Sequence, residues 1–288
     1  MTQQSSNKGE QQGWTASPAV MPDTSYSTSN CLLRSLHESR LERHGKPDDP
    51  SATAFPAAST SEEASHSDAY LVKPLLVLDL DGTLVDTTRS GARAGAPSFQ
   101  FTKGPTDTYD TRLRPGLKEF LSTVQPHVDL AIWTAAPIEY ADVMIAGIEQ
   151  LLMPGFRASL CCIYSRANTT MSVSSDRSRM RVTKDLRSLA HALGRPLCRC
   201  LIVDDTPETY RLNPSNALPV PGYQGAHVDD ALARLSSFLL GMIRPGSPLD
   251  VSAYHELLPP SMRSEGVWPL LQDSTRHESQ LLATGDID

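Results

Sequence analysis

Residues 75–83 constrain the fold of this chain more than any other segment. They read LLVLDLDGT: four apolar residues, two aspartates separated by one residue, then a glycine and a threonine. A short, wholly apolar run predicts a strand buried on both faces, as in the middle of a parallel sheet. Because such sheets bind their ligands at the carboxyl ends of the strands, we expect the chemistry of this chain directly after residue 78.

The two aspartates after this strand, Asp79 and Asp81, are expected to face one crevice. Side chains two residues apart on an extended backbone point in the same direction, and Gly82 lets the chain turn sharply just beyond them. Two carboxylates at close range repel each other unless a cation offsets their charge. Mg²⁺ is the usual hard cation for oxygen ligands, so the sequence predicts a Mg²⁺ site here.

The segment from residue 70 to about residue 244 alternates strand-like and helix-like patterns. Apolar runs predict further strands at residues 128–133, 201–203 and 217–220. Apolar residues at helical spacing predict helices at residues 115–124, from 137 to about 152, and 232–242. This alternation predicts a parallel α/β sheet flanked by helices.

Two inserts interrupt the alternation, and neither has the pattern of a helical lid. Residues 84–113 predict a β-hairpin flap around a Gly-Pro turn, leaning over the end of the first strand. Residues 154–183 predict a small β insert, with a strand at residues 160–164 and a polar loop. An enzyme for small molecules closes to exclude water, whereas an open crevice admits a side chain carried on another protein.

Composition divides the chain into one folded domain and two tails. Residues 1–69 are rich in Ser, Thr, Pro, Gln and charge, and we predict that they are disordered. Within them, residues 31–43 can form a transient helix or dock through their leucines. Residues 70–245 form the predicted domain, and residues 246–288 are expected to be a largely irregular tail.

Charge, cysteines and hydropathy argue against several classes of protein. The net charge of -7 argues against a general nucleic-acid binder. Five cysteines without paired CxxC spacing argue against a disulfide framework and structural zinc. No apolar segment approaches the roughly 20 residues that a membrane span requires, and no secretory leader is visible. We therefore expect an intracellular protein, nuclear or cytoplasmic, of undetermined oligomeric state.

Polar residues at four places would meet at the carboxyl edge of the predicted sheet. They are Asp79 with Asp81, Thr134, Lys184, and Asp204 with Asp205. This set predicts phosphoryl transfer. Asp79 would attack phosphorus in line and form an aspartyl-phosphate. Asp81 would protonate the leaving alkoxide and then deprotonate the water that resolves the intermediate.

The same set supplies metal and phosphate ligands. A carboxylate that attacks a phosphate dianion meets strong repulsion. Mg²⁺ held by Asp79, the carbonyl of Asp81 and the pair Asp204 and Asp205 would offset much of it. Thr134 and Lys184 would hold the equatorial phosphate oxygens.

Each of these groups also has a simpler interpretation. Thr134 could cap a helix, but Pro137 suits the first helical position, which puts the cap at Ala136 and leaves Thr134 free. Lys184 could be a solvated surface lysine. Asp204–Asp205 could cap a helix, but two acids after an apolar LIV run favour metal binding.

At these residues the chain resembles the haloacid dehalogenase superfamily, and within it the CTD-phosphatase branch of FCP/SCP-like and Dullard-like enzymes. The matching motifs, in chain order, are LVLDLDGTLV at 76–85, RPGLKEFL at 114–121, WTAAPIEYAD at 133–142, TKDL at 183–186, VDDTPETYRLNPSNALPV at 203–220, and DDALARLSSFLL at 229–240. The resemblance implies a haloacid dehalogenase-like parallel sheet without a helical cap.

The resemblance also implies an activity. Members of the branch are Mg²⁺-dependent phosphoserine/phosphothreonine phosphatases that act on proteins, including the RNA polymerase II CTD, through an aspartyl-phosphate. The expected phosphate or substrate ligands are Thr83, Thr134, Lys184 and Arg166. The chain departs from the branch at Asp86, where many members have His, and in a long insert near residues 168–179, so substrate choice does not carry over.

Two other functions remain open at this point. A mitochondrial import-translocase subunit shares this fold and uses it to hold other proteins, but that type carries a presequence and a membrane span, neither of which is visible here. A small-molecule phosphatase of the same superfamily would normally bring a helical cap.

Overall fold

A computed structural model describes residues 14–16, 72–173, 180–244, 247 and 249–258. Its centre is a five-stranded sheet in which every neighbouring pair is parallel. In spatial order the strands are β11 (Ala217–Pro219), β10 (Cys200–Asp204), β2 (Leu75–Leu78), β6 (Asp129–Trp133) and β7 (Leu160–Tyr164). The LLVL strand is central and fully buried, as predicted, and the predicted strands agree with the observed ones to within a residue or two.

Helices flank this sheet. They are α1 (Leu117–Val124), α2 (Ile138–Leu151), α3 (Phe156–Ser159), α4 (Leu186–Ala192), α5 (Ala231–Met242) and α6 (Ser252–Leu257). The predicted apolar stripe of α1 is buried, and so is that of α5 as far as Leu239. Helix α2 begins one residue later than predicted, because Pro137 itself is the N-cap in an extended conformation. The predicted parallel α/β architecture is therefore confirmed.

The first insert is an antiparallel flap. It comprises β3 (Val85–Arg89), β4 (Phe99–Lys103) and β5 (Asp107–Leu113), and β5 pairs with both other strands. The β4–β5 hairpin was predicted around the Gly-Pro turn. Strand β3 was not, because its sequence VDTTR has only one apolar residue. A further strand, β1 (Trp14–Ala16), pairs with β4 although it lies in the segment predicted to be disordered.

The second insert contains a hairpin where we predicted a polar loop. Strand β8 (Thr170–Val173) pairs antiparallel with β9 (Met180–Thr183). Apolar and polar residues alternate in both segments, which suits a strand pair with one apolar and one polar face. The hairpin joins the end of β7 to Lys184. Among the described residues, neither insert contributes a helical cap.

The compact part of the chain extends beyond the predicted boundary at residue 245. Helix α6 packs on β11, and Val251, Tyr254 and Leu258 are buried in the core. The Tyr254 hydroxyl donates to the Pro219 carbonyl at 2.9 Å. A fragment that ends at Arg244 would lose these contacts. The rest of residues 1–69, including 31–43, and residues 259–288 lie outside the described residues. No described helix is long and apolar enough to cross a bilayer.

Candidate active site

The adjacency of β2 and β10 places two aspartates side by side. The Asp79 amide donates to the Val203 carbonyl at 3.0 Å, so the parallel ladder continues one residue past β2. Asp79 is 6% exposed and Asp204 only 1%. These residues come from strands that the sequence predicted, and the structure brings them together as expected.

Lys184 bridges the two carboxylates. Its ammonium Nζ lies 2.6 Å from Asp79 Oδ1 and 2.6 Å from Asp204 Oδ2, and the side chain is 1% exposed. Its backbone amide donates to the Thr209 carbonyl at 2.6 Å, which fixes the position where β9 ends. The interpretation of Lys184 as a solvated surface lysine is therefore wrong.

Opposing electrostatic effects act on this buried group. Burial lowers the pKa of Lys184, but the attraction of Asp79 and Asp204 outweighs it and raises the pKa above its ordinary value. Burial raises the pKa of Asp79 well above its ordinary value, and Lys184 opposes the shift only in part. One buried ammonium therefore does not offset the negative charge that is gathered here.

A third carboxylate completes an acidic cluster. Oxygens of Asp79, Asp204 and Asp205 all lie within 4.8 Å of one another. Burial, together with the charge of Asp204, raises the pKa of Asp205 to about 6. Several carboxylate oxygens with too little positive charge are a donor set that suits a hard divalent cation.

Two glycines make room for the Asp205 carboxylate. Gly82 has φ of +76°, and a Cβ at this position would lie 2.3 Å from Asp205 Oδ2. A Cβ on Gly222 would lie 3.0 Å from the same oxygen. The turn after the Asp79–Asp81 pair thus needs glycine both for its backbone conformation and for the close approach of a cluster carboxylate.

Asp81 faces the open crevice and has a partner that the sequence did not reveal. The Tyr140 hydroxyl, from α2, donates to Asp81 Oδ1. Partial desolvation raises the pKa of Asp81, and the hydrogen bond from Tyr140 opposes that shift. Burial also raises the pKa of the Tyr140 hydroxyl, which keeps it a donor. A raised pKa suits a carboxyl group that must carry a proton.

The crevice opens over the ends of β6 and β7. Its volume is about 260 Å³. The lining residues are Asp79, Asp81, Thr134, Ala135, Ala136, Arg166, Lys184, Asp204, Thr206 and Thr209. Thr206 and Thr209 are additions to the predicted set, and they come from the loop that follows β10.

Thr134 and Arg166 form the mouth of this crevice. Thr134 lies ahead of α2, as predicted, but its hydroxyl oxygen is not free: it accepts from the Ala136 amide at 3.1 Å. The hydroxyl proton remains available to a ligand. Arg166 follows β7 and is exposed, and its Nε donates to the Ala135 carbonyl at 2.7 Å. The crevice mouth therefore has one buried hydroxyl and one anchored guanidinium.

The structure does not bring Thr83 into the crevice. Its side chain is fully buried, and its hydroxyl lies 3.4 Å from Asp79 Oδ2. Thr83 is therefore placed to orient the Asp79 carboxylate, and its role as a phosphate ligand stays a prediction. A sequence pattern could not separate these roles, since both need a hydroxyl beside the aspartate pair.

Comparison with known proteins identifies the family of this chain. The model of the family described as NLI interacting factor-like phosphatase matches residues 74–250, which include the sheet, both inserts and every residue of the crevice. The chain belongs to this family. The resemblance to the CTD-phosphatase branch is thus confirmed.

Individual relatives are about 30% identical to this chain over part of its length. Nuclear envelope morphology protein 1 of Saccharomyces cerevisiae is 30% identical over 178 residues, which are 59% of this chain and 39% of that protein. The CTD nuclear envelope phosphatase 1 homolog of Caenorhabditis elegans is 29% identical over 176 residues, or 58% of this chain and 65% of that protein. The chain therefore spans about two fifths to two thirds of the length of these relatives.

A solved structure is also similar. Fcp1, the fission yeast RNA polymerase II CTD phosphatase bound to beryllium fluoride, matches with a TM-score of 0.36 and 18% identity, covering 63% of this chain and 53% of that one.

Proposed function

We propose that this chain is a Mg²⁺-dependent protein phosphatase that removes phosphate from serine or threonine side chains through an aspartyl-phosphate. The observation that carries the proposal is the Asp79 carboxylate. It is nearly buried at the end of the central strand, held at 2.6 Å by Lys184, and open to a crevice that Asp81 also lines. A carboxylate in that position has a nucleophilic oxygen, a fixed orientation and access for a phosphorylated side chain.

The first half of the reaction transfers the phosphoryl group to the protein. Asp79 attacks phosphorus, the bond from phosphorus to the serine or threonine oxygen breaks, and Asp81 gives its proton to that oxygen. The Thr134 hydroxyl donates a hydrogen bond to one phosphate oxygen, and the Lys184 ammonium stabilises the charge on the other phosphate oxygens. The alcohol side chain of the substrate leaves.

The second half restores Asp79. Asp81, now ionised, accepts a proton from a water molecule in the crevice. That water attacks phosphorus, the bond between phosphorus and Asp79 breaks, and inorganic phosphate is released with Asp79 ionised again. Asp81 ends the cycle with its proton.

The acidic cluster is the proposed Mg²⁺ site. Asp79, Asp204 and Asp205 would hold the ion with their carboxylates, and Asp81 would contribute its main-chain carbonyl. When bound, Mg²⁺ neutralises charge on the nucleophile and on the phosphate. The excess of carboxylate over ammonium described above supports this proposal.

The shape of the crevice favours a protein substrate. Its lining includes Arg166 of the second insert, and this arginine is exposed to solvent. One relative is named as a CTD nuclear envelope phosphatase homolog. We therefore propose that the substrate is a phosphorylated segment of a protein and that the location is nuclear or cytoplasmic.

Phosphate release from a phosphopeptide panel tests the proposal. The purified chain should release phosphate from phosphoserine or phosphothreonine peptides with Mg²⁺, and EDTA should abolish the release. Asp79→Asn serves as the inactive control. Metal-independent release, or equal release by Asp79→Asn, would contradict the proposal, and binding of phosphopeptides without turnover would support a binding module instead.

A further inference from the structure

A chain of hydroxyl groups runs from the crevice into the flap. Tyr140 donates to Asp81 Oδ1, and its hydroxyl also lies 2.9 Å from the Thr87 hydroxyl on β3. Thr87 in turn lies 3.1 Å from Thr111, its partner across the β3–β5 ladder. The catalytic-site carboxyl is thus linked through one tyrosine to the flap.

Packing leaves the Tyr140 ring little freedom. The residue lies in the first turn of α2 and is 6% exposed. Its ring makes an edge contact with Phe101 of β4 at a centroid distance of 6.0 Å, and Phe101 is itself fully buried. The Thr87 hydroxyl also contacts the sulfur of Met144, one turn further along α2, at 3.7 Å. The phenol is therefore fixed from both the helix and the flap.

We infer that Tyr140 is a positioning residue for Asp81. Its hydrogen bond to the Asp81 carboxyl group selects which of the two carboxyl oxygens carries the catalytic proton. The inference rests on the proposed function, in which Asp81 is the acid and then the base. A carboxyl group has two oxygens, and a donor held against Oδ1 makes that oxygen the acceptor in both protonation states. The proton then resides on Oδ2.

This assignment agrees with the proton balance of both half-reactions. In the first, Oδ2 gives its proton to the leaving alkoxide while Oδ1 keeps its bond to Tyr140. In the second, Oδ2 takes a proton from the attacking water. Without Tyr140, Asp81 can rotate and present either oxygen, so a smaller fraction of encounters has the acid in the correct orientation.

The expected signature is a dependence on the leaving group. A serine alkoxide is strongly basic and needs the proton from Asp81, whereas p-nitrophenolate is weakly basic and leaves without one. The parameter kcat/KM covers the steps up to departure of the leaving group, so it isolates the acid step from later hydrolysis of the aspartyl-phosphate. Tyr140→Phe should lower kcat/KM about tenfold or more for a phosphoserine peptide. For p-nitrophenyl phosphate it should change by less than about threefold.

Matched variants separate positioning from packing. Tyr254→Phe removes another buried tyrosine hydroxyl, which bonds to a backbone carbonyl, and should leave both substrates unaffected. Thr87→Val should reproduce part of the Tyr140→Phe effect. Thr87→Ser keeps the hydroxyl and should have the kcat/KM of the wild-type chain. The double variant Tyr140→Phe with Thr87→Val should be no slower on the phosphopeptide than Tyr140→Phe alone, because both act through one hydrogen bond.

The outcomes distinguish this inference from the function on which it rests. Asp81→Asn is the reference, because it removes the acid itself. It should show the same difference in kcat/KM between the phosphopeptide and p-nitrophenyl phosphate, but a larger one. The positioning role is wrong if Asp81→Asn lowers kcat/KM mainly for the phosphopeptide while Tyr140→Phe lowers it equally for both substrates or for neither. The phosphatase function would stand in that case. If the wild-type chain hydrolyses neither substrate, the proposed function fails, and this inference fails with it.

Discussion

The two halves of the crevice differ in how they are built. On the side of β2 and β10, Asp79, Asp204 and Lys184 are almost fully buried, and the Lys184 ammonium lies 2.6 Å from each of the two carboxylates. On the side of β6 and β7, Arg166 is exposed, and its guanidinium donates to the backbone carbonyl of Ala135. In the proposed function, the buried half holds the groups that react, whereas the open half contacts the part of the substrate that carries the phosphate. Changes in the first half should therefore affect every substrate, and changes in the second should affect large substrates selectively.

The largest effect is expected from Asp79→Asn. The amide keeps the shape of the side chain but cannot attack phosphorus, so kcat should fall about a thousandfold or more on both p-nitrophenyl phosphate and a phosphopeptide. The thermal midpoint should change little, because the strand and its ladder remain. Selective loss of activity on only one of the two substrates would break the distinction between the halves.

Lys184→Met tests whether the buried half depends on its ammonium for stability. Without it, Asp79 and Asp204 are buried together with no cation, which should cost about 3–5 kcal/mol of unfolding free energy in EDTA. Because burial raises the pKa of Asp79, the folded variant binds more protons than the unfolded chain, so its destabilisation should grow as the pH rises above about 4.

Lys73→Met is the matched control for that variant. Lys73 is well exposed, and its Nζ lies 3.8 Å from Asp129 Oδ1. Removing this ammonium should therefore lower the free energy of unfolding by at most about 1 kcal/mol. Urea unfolding at several pH values measures both variants. Equal stability of Lys184→Met and Lys73→Met would show that the buried bridge contributes nothing.

Gly82→Ala should disturb the cluster by moving Asp205. The new Cβ would meet a carboxylate oxygen at 2.3 Å, in addition to the strain of a positive φ. Gly104→Ala is the control, because Gly104 has φ of +65° with nothing within 4 Å of its Cβ position. Both should lose about 1–2 kcal/mol of stability from strain, but only Gly82→Ala should need more Mg²⁺ for half-maximal activity. Equal Mg²⁺ requirements would remove Asp205 from the proposed metal site.

The smallest effect is expected at the crevice mouth. Arg166→Ala should raise KM for a phosphopeptide about tenfold while changing KM for p-nitrophenyl phosphate much less, since a charge-assisted contact to a peptide is worth about 1.4 kcal/mol. Arg234→Ala, on α5, is the surface control. Equal KM increases on both substrates would place Arg166 among the groups that bind the phosphate itself.

The sequence predicted the buried half better than the open half, and the reason is geometric. In a parallel sheet, apolar runs identify the strands, and strand ends then identify Asp79 and Asp204 without any knowledge of packing. The contact between Tyr140 and Asp81 spans 59 positions and depends on how α2 sits against the flap. No local pattern encodes that.

Other differences have similar causes. Strand β3 was missed because it is mostly polar, and α6 because six residues are too few for a clear helical period. The contact between the Thr83 hydroxyl and Asp79 was not predicted, because it depends on the tight turn after the aspartate pair. The sequence also suggests that Arg177, Arg179 and Arg181 of the second insert attract an acidic flank of the substrate. Arg177 and Arg179 lie outside the described residues, and Arg181 is exposed on β9.

Chemical trapping of the phosphorylated residue tests the central claim most directly. The wild-type chain, mixed with a phosphoserine peptide and Mg²⁺, is quenched during turnover and treated with borohydride, which reduces an acyl phosphate to an alcohol. Peptide mass spectrometry should then find homoserine in place of aspartate at Asp79, and aspartate there when substrate is omitted. Homoserine at another aspartate, or none anywhere while phosphate is being released, would contradict Asp79 as the nucleophile.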